Sequence, residues 1–226
     1  TMGVFLEEFN RLPPPVKSLY SCIVIDTLGI FWTLTYPNHK QKKLLSTWNS
    51  SPDQTKVSIL HTSKHAPEVF SELKQSTRLQ LPPSWLSSEQ WCHLFQLSSN
   101  QPEAILLTRT ILCLQSLKTT YSLKDIKKTL HKIPTAKKET IQHLENLLVQ
   151  AESWHLFTQD HTLHSTLIRP GEITIVDLSF LKSTHVKQVI TGIIADLLFY
   201  DRINKRKLEE YQDIKNQQKT QSSPYI

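Results

Sequence analysis

Ser21-Cys-Ile-Val-Ile-Asp-Thr-Leu-Gly-Ile-Phe-Trp-Thr-Leu34 opens with a run, Cys22 to Ile25, that is apolar without interruption and rich in β-branched residues. Nothing in the run alternates polar with apolar. A strand of this kind is covered on both faces, as in a parallel sheet packed between helices. Asp26 closes the run and Gly29 follows in a turn. Far along the chain the design recurs. Glu172-Ile-Thr-Ile-Val-Asp-Leu-Ser179 is again an apolar run ending in Asp177, introduced by the turn signal Arg169-Pro170-Gly171. Two such strands predict one α/β layer, with both Asp side chains at the same edge. Ligands of open α/β sheets sit outside the carboxyl ends of the strands, which is where Asp26 and Asp177 then lie.

Around these strands the pattern is mostly helical. A helix over Gly3–Leu12 stops at Pro13-Pro14-Pro15. A short helix is expected at Gln41–Trp48, and a short strand at Lys56–Leu60. Residues 61–98 read as irregular, apart from short helices near Pro67–Lys74 and Ser87–Leu94. Three longer helices follow, over about Pro102–Leu117, from the capping-box start Ser122-Leu-Lys-Asp125, and over about Ala136–His155. In the last, Ile141, Leu144, Leu148 and Ala151 form an amphipathic stripe. The organisation read from this is a first part of an α/β core at 1–84, a helical insertion at 85–165 and a second part of the core at 166–226. The second part has a long helix beginning near Thr184, whose apolar face fades from Asp201 onward. Its end and residues 216–223 read as a projecting helix end and a linker. Pro224-Tyr225-Ile226 reads as the first residues of another buried strand.

The chain has 226 residues, 38 % hydrophobic and 20 % charged, an ordinary globular balance with ample apolar material for a core. No run reaches the ~18 uncharged apolar residues of a membrane span. The best candidate, Val186–Tyr200, carries Lys187 and Asp196. Thr1-Met2-Gly3 leads into an amphipathic stretch with Glu7 and Glu8, not into a signal-peptide pattern. Cys22, Cys92 and Cys113 are widely spaced in apolar company, as expected of reduced core thiols in a cytoplasmic protein. A net charge of +6 permits a polyanionic partner.

The sequence has only four glycines, and neither a G-x-x-x-x-G-K-[ST] nor a G-x-G-x-x-G loop. His61 and His65 are four apart but not on a helix, and His161 and His164 fall in a polar turn, so no metal site is predicted. No nucleophile elbow is present. Asp26 and Asp177 remain, each open to two readings: a cap for the turn that follows its strand, or a polar group at the ligand-binding edge. Lys124, Lys127, Lys128, Lys132, Lys137 and Lys138 are either a DNA-facing patch, with Lys127, Lys128, Lys137 and Lys138 as contact candidates, or a solvated helical face.

Ile23-Val-Ile-Asp-Thr-Leu-Gly-Ile-Phe-Trp-Thr-Leu-Thr-Tyr-Pro-Asn38 resembles the segment after the P-loop helix in archaeal HerA-like ATPases, relatives of FtsK-type translocases and type IV secretion ATPases. Gly3-Val-Phe-Leu-Glu-Glu-Phe9 is similar to that helix, Trp91-Cys-His-Leu-Phe95 to the start of the family's helical insertion, and Arg169–Ser179 to its returning strand. Asp26 and Gly29 match the family's turn, whereas Ile30 stands in place of its Glu. The resemblance implies a RecA-like P-loop NTPase, and places this chain between the Walker A and Walker B motifs, neither of which it contains. It further implies ATP and Mg²⁺ as cofactors of the parent protein, double-stranded DNA as substrate, a homo-oligomer of hexameric form, and a nuclease as candidate partner. Thr1, Asp26, Thr27, Gly29 and Asp177 are then nucleotide-proximal, and Asp26→Asn is expected to lower turnover without disturbing folding. The rival expectation is a non-enzymatic module that binds a partner or nucleic acid through its basic insert.

Overall fold

The two Asp-terminated runs are direct neighbours. β1 (Cys22–Asp26) and β4 (Ile173–Asp177) pair in parallel from Cys22 opposite Ile173 to Asp26 opposite Asp177. On the other side of β4 lies β2 (Val57–His61), and beyond it β3 (Ser76–Arg78), giving a four-stranded, all-parallel sheet in the order β1-β4-β2-β3. The α/β class and the shared sheet expected of the two strands are thus both seen. The computed structural model describes residues 2–63, 68, 73, 75–117, 120–134, 136–158 and 163–215. The expected helix near Pro67–Lys74, residues 216–223 and the strand start at Pro224 lie outside these residues, or nearly so.

The sheet is covered on both faces, as uninterrupted apolar strands require. Side chains of a strand alternate between faces. Val24, Val57, Ile59, Ile173 and Ile175 look to one side, where Leu6 and Phe9 of α1 (Met2–Arg11) cover them. A stub helix, α2 (Pro14–Lys17), then leads into β1. Leu60, Val176 and Leu178 look to the other side and join a much larger core. Of the short elements between β1 and β2, α3 (Lys42–Thr47) buries no residue. β3 was not legible as a strand: Ser76-Thr-Arg78 has no apolar run, and its pairing with β2 alone defines it.

The larger core is supplied by α4 (Ser88–Leu94), α5 (Pro102–Leu117), α6 (Leu123–Leu130), α7 (Lys138–Ser153), α8 (Leu163–Leu167) and α9 (Thr184–Ile214). Two of these starts are locally specified. Ser87 and Gln90 cap α4 reciprocally, and Ser122 and Asp125 do the same for α6. α8 falls where a polar turn was expected. Trp91 is fully buried, with Phe95 and Phe157 rings 5.5 and 5.2 Å from its own. The inserted helices share one continuous cluster with Leu60, Leu79, Leu81, Val176 and the buried face of α9. The three cysteines are free thiols, and burial raises the pKa of Cys22 and Cys92. Among the described residues no helix is long and apolar enough to cross a membrane.

A core shared between sheet and insert predicts one cooperative unfolding transition. Trp91→Ala should lower stability by about 3–5 kcal/mol. It should do so equally by far-UV circular dichroism and by fluorescence of the remaining tryptophans. Two separated transitions, with Trp91→Ala shifting only one, would contradict the shared core.

Candidate functional site at the carboxyl edge of the sheet

The last residues of adjacent strands form one row. Asp26 is in register with Asp177, Asp177 with His61, and His61 with Arg78. Register partners in a parallel sheet point to the same face, here the α1 side. Asp26 and Asp177 are each 2 % exposed and His61 is 7 % exposed. Burying carboxylates side by side is costly unless fixed partners hold their charge.

For Asp26 those partners are backbone groups. Oδ1 accepts from the N–H of Leu28 at 3.1 Å and of Gly29 at 2.7 Å. Oδ2 accepts from Ile30 at 2.7 Å and Phe31 at 2.8 Å. The chain therefore wraps around the carboxylate and passes into a 3-10 turn at Phe31–Thr35. Gly29 has φ +72°, and a Cβ there would lie 2.6 Å from Ser179 Oγ and 2.8 Å from Ser179 Cβ. Only glycine combines that backbone with that approach. The loops leaving β1 and β4 are pressed together at this point. Leu178 N–H donates to the Asp26 carbonyl at 2.8 Å, and Lys187 Nζ, in the first turn of α9, donates to the Thr27 carbonyl at 2.8 Å.

Asp177 is less committed. Its Oδ1 accepts from the Ser179 N–H at 2.8 Å, and its carbonyl accepts from Thr62 Oγ1 at 3.3 Å. Beside it, burial lowers the His61 pKa below the ordinary value of 6.5. The Asp177 charge opposes the shift and the Arg78 charge adds to it.

Past the ends of the same strands, on the face of the sheet opposite to the row's side chains, a cleft of about 530 Å³ opens between the sheet and the insert, lined by none of Asp26, Asp177 and His61. Thr62 and Ser63 reach it from the end of β2, Phe180 to Ser183 from the end of β4, and Gln150, Ser153, Trp154 and His155 from the end of α7. Ser183 Oγ caps α9 by accepting from the Val186 N–H. His155 holds a left-handed φ of 54°, and its carbonyl accepts from Arg78 Nη2 at 2.8 Å, which pins β3 to the insert. Among the described residues, no group of three or more His, Cys, Asp or Glu could hold a metal ion.

The structure thus brings together Asp26, Thr27, Gly29 and Asp177, whereas Thr1 lies outside the described residues. The lysines form no single patch with them. Lys127 is ion-paired to Glu152 at 2.8 Å, and Lys128, Lys137 and Lys138 are exposed on α6 and at the start of α7. His61 and Arg78 were not foreseen. Val57-Ser-Ile-Leu-His61 carried the signal, another largely apolar run closed by a polar group. Compared with known protein families and curated proteins, the chain matches none.

The Asp26 geometry moves the expected cost of Asp26→Asn from turnover to folding. An Asn keeps one acceptor oxygen and turns an NH₂ toward two N–H donors. The substitution should cost about 2–4 kcal/mol in urea unfolding; an unchanged midpoint would contradict the turn-holding role.

The His61 shift also sets a pH dependence. Burial makes the ring harder to protonate in the folded state than in the unfolded chain, which takes up a proton near pH 6.5. The associated stability is present above that pH and is lost as pH falls below it. His61→Gln should flatten the decline between about pH 7 and 5 relative to the wild type. Parallel declines in the two proteins would remove His61 from the account.

Proposed function

We propose that this chain is part of a RecA-like P-loop ATPase core, and that the parent protein couples ATP hydrolysis to movement on double-stranded DNA. One observation carries the reading: two neighbouring strands end in buried Asp residues at the carboxyl edge of an all-parallel sheet, past which a cleft opens. That edge is where α/β folds of this kind place their ligands. The sequence resemblance supplies the more specific identity, with a hexameric ring, an associated nuclease and a cytoplasmic location belonging to the same reading.

The residues at the edge do not by themselves fit ATP and Mg²⁺. Both oxygens of Asp26 are occupied by backbone N–H groups, and the sequence has no glycine loop with its Lys. The triphosphate and metal are therefore assigned to groups that this sequence does not supply, and no catalytic step is routed through them here. Asp26 shapes the turn. In this reading Asp177, with a single side-chain bond from the described residues, is the carboxylate that orients a neighbouring group.

A second reading, a polyanion-binding module without ATPase activity, draws on Lys124, Lys128 and Lys132. Lys124 and Lys128 stand four apart on α6, Lys132 follows in the turn just beyond its end, and all are exposed. Like charges at this spacing repel and favour a polyanionic partner.

Turnover by the full-length protein separates the two. The ATPase reading expects hydrolysis stimulated by double-stranded DNA, and lowered roughly 10–100-fold by Asp177→Asn in a protein that still folds. DNA binding without any hydrolysis would overturn it in favour of the module.

A further inference from the structure

Arg78 closes β3 at the far end of the row, on an edge strand of the sheet. A guanidinium is permanently charged and carries five N–H donors and no acceptor. Within the described residues Nη2 donates to the His155 carbonyl at 2.8 Å. Nε is shut off from water and has no acceptor there. No carboxylate of the described residues forms an ion pair with Arg78, although the residue is partly buried. A charge taken partly out of water without a counter-ion is costly, and an unmet donor adds to the cost.

The Arg78 side chain also forms part of the wall of a small cavity of about 130 Å³. Thr77, Gln80, Thr158 and Thr166 supply the rest of its polar lining, and Leu60 and Leu163 the apolar part. Among the described residues no carboxylate lines it. The frame is held by backbone bonds. Leu81 N–H donates to the Leu156 carbonyl at 2.7 Å, and Thr158 N–H to the Leu81 carbonyl at 3.1 Å. Leu163 and Thr166 come from α8, three residues apart.

Size and chemistry narrow the occupant. The volume is several times the ~30 Å³ share of one water and well short of the ~300–1,000 Å³ of a pocket for a drug-sized molecule. It suits a small ion and excludes a whole nucleotide. The lining offers one fixed positive charge, three hydroxyls and one carboxamide, all able to donate. A guanidinium grips an oxyanion through two N–H groups at once, and neutral donors then meet the remaining oxygens. We propose that this cavity binds a phosphate ion, with Arg78 as its counter-charge and Thr77 and Gln80 as further donors. The site rests on neither reading of the function. Its occupation should also be felt by His61. Asp177 favours protonation of that ring and Arg78 opposes it. An anion on Arg78 offsets the second influence, so the His61 titration midpoint should rise on binding.

Calorimetric titration of inorganic phosphate into the full chain at low ionic strength tests the proposal, with the His61 ring followed in parallel by NMR. The wild type should bind one phosphate with a Kd of roughly 0.01–1 mM, within the limit for a ligand of five heavy atoms. Sulfate should compete for the same site. Arg78→Lys should weaken binding at least about tenfold, because an ammonium lacks the planar fork. Thr77→Val and Gln80→Met, which leave the bond from Arg78 to His155 in place, should each weaken it about threefold or more. In the wild type the His61 midpoint should rise along the same phosphate curve as the heat. Absence of binding below about 10 mM phosphate would overturn the proposal. So would binding that every folded variant retains unchanged, or binding to which His61 does not respond, since either result puts the ion elsewhere on the protein.

Discussion

Four consecutive backbone N–H groups converge on one buried carboxylate, and much of the carboxyl edge depends on that arrangement. A lone Asp at 2 % exposure would be expensive to ionise. Bonds from residues 28 to 31 at 2.7–3.1 Å replace its water shell. Successive N–H groups folded around an anion form a concave cradle with a fixed shape. That shape forces Gly29 into the left-handed region and drives it against Ser179. The loop after β1 is therefore clamped to the loop after β4, and Lys187 fastens the start of α9 to the same turn. A single side chain thus links the exits of two strands to the start of the longest helix.

The rest of the molecule is built outward from that edge. One face of the sheet needs little more than α1, because its strands supply most of the apolar side chains there. The other face is closed by the inserted helices, which share one core with β2, β4 and α9. The insert is fastened at a second point, where Arg78 reaches the His155 carbonyl. The cleft between insert and sheet is consequently framed by segments that share that one core.

The parts legible in the sequence were those with a strong local signature. Apolar runs closed by Asp predicted two strands of one sheet with a common edge, and the Ser122–Asp125 box marked a helix start; that the strands are neighbours, and that Ser87 and Gln90 form a second box, came from the structure. β3 was hidden because Ser76-Thr77-Arg78 is a strand only through its neighbour, a tertiary effect with no local pattern. His61 was passed over because its run ends in a base where the others end in acids, yet the register sets all three in one row. Asp26 showed the right position and left two roles open; the four N–H bonds that fill it depend on the path of residues 28–31, which composition does not encode. Lys127 reads as a surface lysine until the packing of α6 on α7 brings Glu152 to it.

Amide hydrogen exchange at the turn after β1 tests the central claim most directly. The side chains of Leu28 and Ile30 are 76 % and 52 % exposed, so a turn held only by its loop sequence would exchange its amides quickly. If the Asp26 carboxylate holds the turn, the N–H groups of Gly29, Ile30 and Phe31 should be protected nearly as well as those of β1 itself, and should lose that protection together when Asp26 is replaced by Asn. Fast exchange at these three positions in the wild-type protein would contradict the account.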